Sequence, residues 1–214
     1  MASVLLTALR GQARRPMSVL ALSYLAGSVP FSNLVAHQRA SVDLRDVGTG
    51  TVSGSGLLEV AGFGPLAVAG LAEVAKGAVG PLLAGRDRPA LAALASAAAV
   101  CGHNWSIWLG GAGGRGISPA IGALLVCHRP GAVTLLAGLS FRAVRATGLG
   151  GFLADVAVVP VLARTGGRPG AIIGVAVVIP MLTKRLLGNR PPTTRDLATY
   201  GARLVFDRDE WTRP

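Results

Sequence analysis

Residues 102–116, GHNWSIWLGGAGGRG, contain the residue types that could bind an oxyanion. The late glycines of this stretch can adopt positive φ, so that successive backbone N–H groups can form a concave anion site. The N-terminus of the apolar helix predicted to follow adds partial positive charge, and Arg115 adds a forked donor. This pattern predicts phosphate binding by Gly113, Gly114, Arg115 and Gly116. The alternative is a hairpin between two helices in which the glycines serve close packing.

A second stretch of similar chemistry is DLRDVGTGTVSGSG, residues 43–56. Arg45 precedes Gly48 and Gly50, and hydroxyl side chains such as Thr49 alternate with the glycines. Alternating hydroxyls and unhindered N–H groups beside an arginine are suited to an oxyanion or a phosphate. A flexible Gly/Ser linker is the alternative, although linkers rarely begin with charged residues such as DLRD.

The composition is that of a membrane protein. Hydrophobic residues make up 51% of the 214, charged residues only 14%, and the mean hydropathy is +0.54, whereas soluble domains carry about a quarter charged residues. The net charge of +11 does not indicate nucleic acid binding, because the basic residues are spread over short connections and aromatic residues are few. In a membrane protein such charge meets anionic lipid headgroups, so membrane lipids are the expected partners.

The apolar segments predict an all-α, polytopic membrane protein with about seven short transmembrane helices. Several segments are shorter than the roughly 20 residues that cross a bilayer, so they must tilt or pack inside the bundle. The predicted organisation is an N-terminal tail at 1–17, a transmembrane domain at 18–188 and a polar C-terminal tail at 189–214, with no catalytic role assigned to the tail. The predicted spans are 18–36, 63–84, 89–109, 117–127, 131–141, 149–163 and 170–187.

Two features inside these spans are unusual for lipid. Glu73 and Lys76 are three residues apart, so they lie on one helical face and can form an ion pair. An intramembrane ion pair usually marks a functional site or a water-filled cavity; the alternative is a lysine that extends to the membrane surface. Pro30 lies within the first span and frees a backbone carbonyl, which is tolerable if neighbouring helices or a water-filled cavity satisfy it.

The distribution of basic residues predicts the orientation. With seven spans, twelve lysines and arginines lie on the face that carries both glycine-rich loops and the C-terminal tail, and eight lie on the other. Lys76 is the remaining one of the 21. The positive-inside rule therefore places both loops in the cytoplasm, on one side, as a single active site requires.

In order and spacing, five short motifs resemble the bacterial acyl-phosphate:glycerol-3-phosphate acyltransferase family (PlsY), multi-span enzymes of the inner membrane. The similarity covers roughly residues 22–187. This family transfers a fatty acyl group from acyl phosphate to the 1-hydroxyl of glycerol 3-phosphate, giving lysophosphatidic acid and phosphate. The motifs are AGSVPF at 26–31, DLRDVGTG at 43–50, KG at 76–77, GH at 102–103 and GGRG at 113–116.

The resemblance implies a bacterial plasma-membrane enzyme whose substrates are acyl phosphate and glycerol 3-phosphate, with no cofactor and no metal. It implies catalytic roles for Ser28, Arg45 and His103. It implies phosphate or substrate binding by Gly48, Thr49, Gly50, Lys76, Gly113, Gly114, Arg115 and Gly116, with Arg115 in place of the family's lysine.

The sequence departs from the family in the third motif, H-x-x-N-I-x-R-L-L-x-G-x-E. Ile179, Leu182 and Pro191 stand at the His, Asn and Glu positions. Two further asparagines of the family, just after the first glycine loop, are replaced by Thr51 and Gly56. Polar groups that the family carries near the reaction are therefore missing.

The chemistry needs little beyond positioning, because acyl phosphate is already activated and requires no covalent enzyme intermediate. The protein must hold two phosphate groups, orient the hydroxyl and stabilise developing charge. His103 is the candidate general base because it adjoins a glycine loop on the expected cytoplasmic face. Two other classes stay open: a paralogue that binds lipid or phosphate without catalysis, and a small transporter with Glu73 and Lys76 along a polar path.

Overall fold

The computed structural model describes residues 15–141 and 146–210, so most of the predicted N-terminal tail lies outside the described residues. The described residues form α-helices and short 3-10 turns with no strand, which confirms the all-α prediction. The helices are α1 Pro16–Ser28, α2 Phe31–Ala40, α3 Gly54–Ala61, α4 Phe63–Ala84, α5 Pro89–Asn104, α6 Ile117–Cys127, α7 Arg129–Leu139, α8 Thr147–Leu187 and α9 Leu197–Phe206.

Four helical stretches of the described chain are long and apolar enough to cross a membrane, so the protein is a multi-pass membrane protein. The predicted count of seven spans is not confirmed, because α6 and α7 each have 11 residues, fewer than the roughly 20 of a full span. The four stretches are Pro16–Ala40, Phe63–Ala84, Pro89–Leu109 and Thr147–Leu187.

The long helix α8 is two helical arms. Gly167 has φ 58° and ψ −146°, a conformation that essentially only glycine adopts. A Cβ placed on Gly174 would lie 3.2 Å from the Cα of Val159, so the arms pack against each other after the chain reverses. The two separate segments predicted at 149–163 and 170–187 correspond to these arms.

The first predicted span is broken at Pro30, between α1 and α2. The backbone carbonyls freed at the break find side-chain donors on other helices. Lys76 Nζ donates to Val29 O at 2.6 Å, and Ser106 Oγ donates to Ser28 O at 2.6 Å. The break therefore brings polar groups of α4 and of the loop after α5 to one point inside the bundle.

Helices approach one another at backbone contact distance. A Cβ on Gly27 of α1 would overlap the backbone of Ala99 in α5, and a Cβ on Gly77 of α4 would overlap that of Pro119 in α6. Small residues permit such contacts in lipid, where helix association depends on close packing. Large apolar side chains on the outer faces, such as Leu71 (74% exposed), are left for lipid.

The loops after α2 and after α5 meet at one end of the bundle, where Val52 N donates to Gly113 O at 3.1 Å. At α8's internal turn, a Cβ on Gly166 would overlap the ring of His128. The connection before α7 therefore contacts the turn inside α8. The second glycine stretch is shorter than predicted: Gly54 begins α3, and Ser53 Oγ caps that helix by accepting from Gly56 N at 3.1 Å.

Candidate active site

The carboxylate of Glu73 is the centre of a buried polar cluster. Its Oε2 accepts from Lys76 Nζ at 2.6 Å and from His103 Nδ1 at 3.1 Å, and its Oε1 accepts from Ser32 N at 3.0 Å. The Glu73 side chain is 3% exposed. The ion pair predicted from the i,i+3 spacing is confirmed, and it joins a histidine that is 30 residues distant in sequence.

The break at Pro30 explains how Glu73 is held. Since α2 restarts at Phe31, the N–H of Ser32 lies in its first turn and has no partner within the helix. A carboxylate satisfies that donor and is also favoured by the partial positive charge of a helix N-terminus. Three elements therefore fix Glu73: α2 through Ser32, α4 through Lys76, and α5 through His103.

This arrangement sets the tautomer of His103. A carboxylate paired with an ammonium can only accept hydrogen bonds, so Nδ1 is the donor to Glu73 and Nε2 carries the free lone pair. Nε2 lies against Gly114, where a Cβ would overlap it. Gly114 N also donates to His103 O at 3.1 Å. The imidazole is oriented at both edges and presents a base at Nε2.

The glycines of residues 113–116 thus serve two purposes. Gly116 has φ 82° and precedes α6, as predicted for a loop glycine. Gly113 and Gly114 are not among the positive-φ glycines; a Cβ on either would overlap His103 or its neighbours. For these two the close-packing alternative applies, because their lack of a side chain lets the loop touch His103.

A narrow crevice runs between the His103–Glu73 pair and this loop. Ser28 faces it, but its Oγ donates to Tyr24 O at 2.8 Å, within its own helix. The crevice contains two serines, a carboxylate, an ammonium and an imidazole within apolar walls. It is lined by Ser28, Pro30, Val52, Glu73, Lys76, His103, Ser106, Leu109, Gly113 and Gly114.

Asn189 fastens the two glycine loops together. Its Nδ2 donates to Gly50 O and to Gly113 O, both at 2.7 Å, and its Oδ1 accepts from Gly113 N at 3.2 Å. Sequence reasoning missed this residue, which stands at the glycine position of the altered third motif. The segment after α8 is therefore part of the framework that positions the loops.

The two predicted arginines lie outside the crevice. Arg45 pairs with Asp43 at 2.6 Å, and its Nη1 lies 3.5 Å from the carbonyl of Leu109, a residue of the crevice wall. The Arg45 guanidinium lowers the pKa of Asp43 to about 2. Arg115 turns away from the crevice: its Nη1 donates to Lys184 O at 2.7 Å and its Nη2 lies 2.5 Å from Asp207 Oδ1.

The remaining predicted residues of the first loop also lie outside the crevice walls. Gly48 has φ 52°, and its carbonyl accepts from Arg190 Nη1 at 3.1 Å. Thr49 is exposed and donates to Thr51 Oγ1 at 2.9 Å. Gly50, tied to Asn189, is buried. The structure thus brings Ser28, Lys76, His103, Gly113 and Gly114 together, while Arg45, Gly48, Thr49, Gly50, Arg115 and Gly116 surround them.

The altered third-motif positions do not line the crevice. Ile179 is 59% exposed, Leu182 packs against the apolar core, and Pro191 lines a different cavity. Their apolar character is consistent with these locations. Among the described residues, no group of three or more His, Cys, Asp or Glu side chains is placed to hold a metal ion.

Comparison with known proteins identifies one family. The family model described as Glycerol-3-phosphate acyltransferase matches residues 17–188. A Roseobacter denitrificans glycerol-3-phosphate acyltransferase is 33% identical over 174 residues, 78% of this chain and 85% of that protein. One from Gloeobacter violaceus is 34% identical over 149 residues, covering 66% and 73%.

Two solved structures have the same fold. The crystal structure of PlsY, an integral membrane glycerol 3-phosphate acyltransferase, in its glycerol 3-phosphate form has a TM-score of 0.71 and 23% identity, covering 79% of this chain and 88% of that one. Its lysophosphatidic acid form has a TM-score of 0.69 and 20% identity, covering 79% and 87%.

Proposed function

Because the chain belongs to the glycerol-3-phosphate acyltransferase family, we propose that it transfers a fatty acyl group to glycerol 3-phosphate, with acyl phosphate as the donor. The observation that carries this proposal is the oriented His103–Glu73 pair on a crevice between Ser28 and the Gly113–Gly114 backbone. The family name supports the acceptor. The donor rests on the resemblance of the motifs to acyl-phosphate-dependent enzymes. The Ser28 hydroxyl donates within its own helix, which fits direct transfer to the acceptor without an acyl-serine intermediate.

In this mechanism His103 Nε2 accepts the proton of the glycerol hydroxyl as that oxygen bonds to the acyl carbon. The bond between the acyl carbon and the phosphate oxygen breaks, and phosphate leaves with the bonding electrons and can take the proton from Nε2. Glu73 holds the imidazole in position and stabilises its cationic form, as the carboxylate of a catalytic triad does. General base catalysis of this kind typically raises the reaction rate about 10²–10⁴-fold.

Phosphate groups are assigned to the rim of the crevice. Arg45 lies beside Leu109 of the wall and is 45% exposed, so it can reach an anion at the mouth. The backbone of Gly48 and Gly50 and the hydroxyl of Thr49 lie in the same loop. Lys76 stays in its ion pair with Glu73. Positioning two substrates next to each other can lower the activation barrier by up to roughly 7–11 kcal/mol.

The test is lysophosphatidic acid formation by the purified protein in detergent, followed by mass spectrometry, from glycerol 3-phosphate with either acyl phosphate or acyl-coenzyme A. We expect product with acyl phosphate alone, and at least a 100-fold loss of rate in His103→Gln. His37→Gln is the matched control, because His37 is exposed and outside the crevice walls. Absence of product with acyl phosphate, or equal losses in both variants, would refute the proposal.

We also propose that both glycine loops face the cytoplasm of a bacterial cell, the plasma membrane being the location. The support is the excess of basic residues at that end. In a Cys101→Ala, Cys127→Ser background, Thr49→Cys should react with a membrane-impermeant thiol reagent only from the cytoplasmic side, and Asp87→Cys only from outside. The reverse pattern would show the opposite orientation.

A further inference from the structure

The turn inside α8 gathers three arginines at one end of the bundle. Arg164 and Arg168 stand on either side of the turn. The ring of His128 lies against the turn, where a Cβ on Gly166 would overlap it, and Arg129 is the next residue along the chain. All three arginines are exposed, so their charges lie together at the surface of this end.

The protein itself does not neutralise these charges. In the described part of the chain, none of the three guanidinium groups takes part in a hydrogen bond or an ion pair. The one acid in the sequence between residues 128 and 170 is Asp155, which is fully buried and pairs with Arg185 at 2.9 Å. The three arginines are therefore available to an anion from outside the chain.

This end of the bundle is remote from the glycine loops. The second arm of α8 continues from Arg168 to Leu187, a length of roughly 28 Å at about 1.5 Å per residue. Just beyond it, Asn189 is hydrogen-bonded to both loops. The hydrocarbon core of a bilayer is about 30 Å thick, so the three arginines lie at the membrane surface opposite the loops.

An exposed apolar face continues from Arg168 into the membrane. Ile172, Val175 and Ile179 follow it at i+4, i+7 and i+11, a spacing that places them on one face of the helix, and all three are exposed. The distance from Arg168 to Ile179 is roughly 16 Å along the helix. That is about half of the hydrocarbon core, the depth of one lipid leaflet.

The other two arginines have the same arrangement. On α7 the exposed side chains of Val133 and Leu136 follow Arg129 at i+4 and i+7. On the first arm of α8 the exposed Val156 precedes Arg164 by eight residues, about two helical turns. Each helix therefore presents a cationic group at the membrane surface and an apolar face beneath it.

We propose that this end of the protein binds an anionic phospholipid of the adjacent leaflet, with its phosphate among the three arginines and its acyl chains along the apolar faces. The planar fork of arginine matches phosphate oxygens. A zwitterionic phospholipid is less suited, because its ammonium group is repelled by the same arginines. The site is separate from the crevice at His103, and its existence does not depend on acyl transfer.

Lipid binding is measured by native mass spectrometry of the delipidated protein, with phosphatidylglycerol or phosphatidylethanolamine of identical acyl chains. We expect phosphatidylglycerol to bind at least tenfold more tightly. The double variant Arg164→Gln, Arg168→Gln should weaken phosphatidylglycerol binding at least tenfold. The matched control Arg39→Gln, Arg195→Gln removes the same charge from exposed residues outside this turn and should change binding less than twofold.

A second set of variants keeps the test independent of folding. Thermal unfolding checks each protein, and Arg129→Gln, which should weaken binding at least threefold, replaces the double variant if the latter unfolds. Arg164→Lys, Arg168→Lys keeps the charge without the fork and should bind more tightly than the glutamine variant. Equal affinities in these two double variants would overturn the role given to charge.

Further measurements identify the occupant. Glycerophosphoglycerol, the headgroup without acyl chains, should not displace the lipid, because it lacks the apolar surface that the helix faces bury; displacement would indicate a small-anion site instead. His103→Gln should bind lipid like the wild type even when acyl transfer is lost. The proposal is overturned by equal affinity for the two lipids, by equal weakening in the variant and its control, or by a dimer of the delipidated protein that the turn variants dissociate without changing lipid binding.

Discussion

Replacing Glu73 with Gln tests the buried cluster on which the crevice is built. The amide keeps the size of the side chain and an oxygen that can accept from Ser32 N, but it removes the negative charge. Lys76, whose side chain is 3% exposed, then keeps the carbonyl of Val29 and the ring of Phe31, 6.0 Å from its Nζ, but no negative charge. Breaking a buried pair by removing one partner costs about 3–5 kcal/mol, so Glu73→Gln should lower the free energy of unfolding by that amount.

A second substitution tests whether the lost stability comes from the unpaired charge of Lys76. In the double variant Glu73→Gln, Lys76→Met the unpaired ammonium is gone, so at least about 2 kcal/mol of the lost stability should return. Part of the gain is offset because Val29 O loses a hydrogen bond of about 1 kcal/mol. Acyl transfer should stay at least 100-fold below wild type in both variants, because the orientation of His103 depends on the carboxylate.

The assay is equilibrium unfolding in mixed micelles of increasing denaturing detergent, alongside the rate of lysophosphatidic acid formation. Glu59→Gln is the matched control; Glu59 is exposed on α3, and its replacement should change stability by less than about 0.5 kcal/mol. Wild-type stability in Glu73→Gln, or no recovery in the double variant, would refute the reasoning about the buried pair. Wild-type activity in Glu73→Gln would refute the role given to the carboxylate.

Two other predictions concern the loops. Gly114→Ala should reduce acyl transfer at least tenfold, since the new Cβ overlaps His103 Nε2; Gly64→Ala, at a helical site with open space, should leave the rate unchanged, and equal rates in the two variants would count against close contact. Asp43 has a pKa lowered from 3.8 to about 2 by Arg45, so its contribution to stability is present above pH 4 and is lost as the pH falls towards 2. The difference in Tm between wild type and Asp43→Asn should therefore be constant above pH 5 and shrink below pH 4; a constant difference down to pH 2.5 would contradict this.

Much of the fold could be read from local patterns. The apolar segments gave the helical membrane class, and the two arms of α8 follow from apolar stretches on either side of Gly167. The sequence predicted that a backbone carbonyl near Pro30 would lack its helical donor, because proline has no N–H to donate. The side chains that donate to the freed carbonyls could not be predicted, since Lys76 and Ser106 come from distant parts of the chain.

The site was only partly predictable for the same reason. Glycine motifs pointed to the right loops, yet assigned Gly113 and Gly114 a conformational role where the structure gives them a steric one beside His103. Arg115 was expected to face the same substrate site as His103 but lies against Asp207. The role of Asn189 could not be predicted, because its partners Gly50 and Gly113 lie in two loops that only the tertiary structure brings together.

The sequence by itself determined the membrane class, the helical composition and the Glu73–Lys76 pair, because composition and a three-residue spacing act within one helix. The tertiary structure alone decided that His103 shares this carboxylate, that Asn189 joins the glycine loops and that His128 lies against the turn inside α8. These contacts link residues 30 to 139 positions apart. Their geometry depends on how closely the helices pack, and that closeness is set by many small side chains together rather than by any one motif.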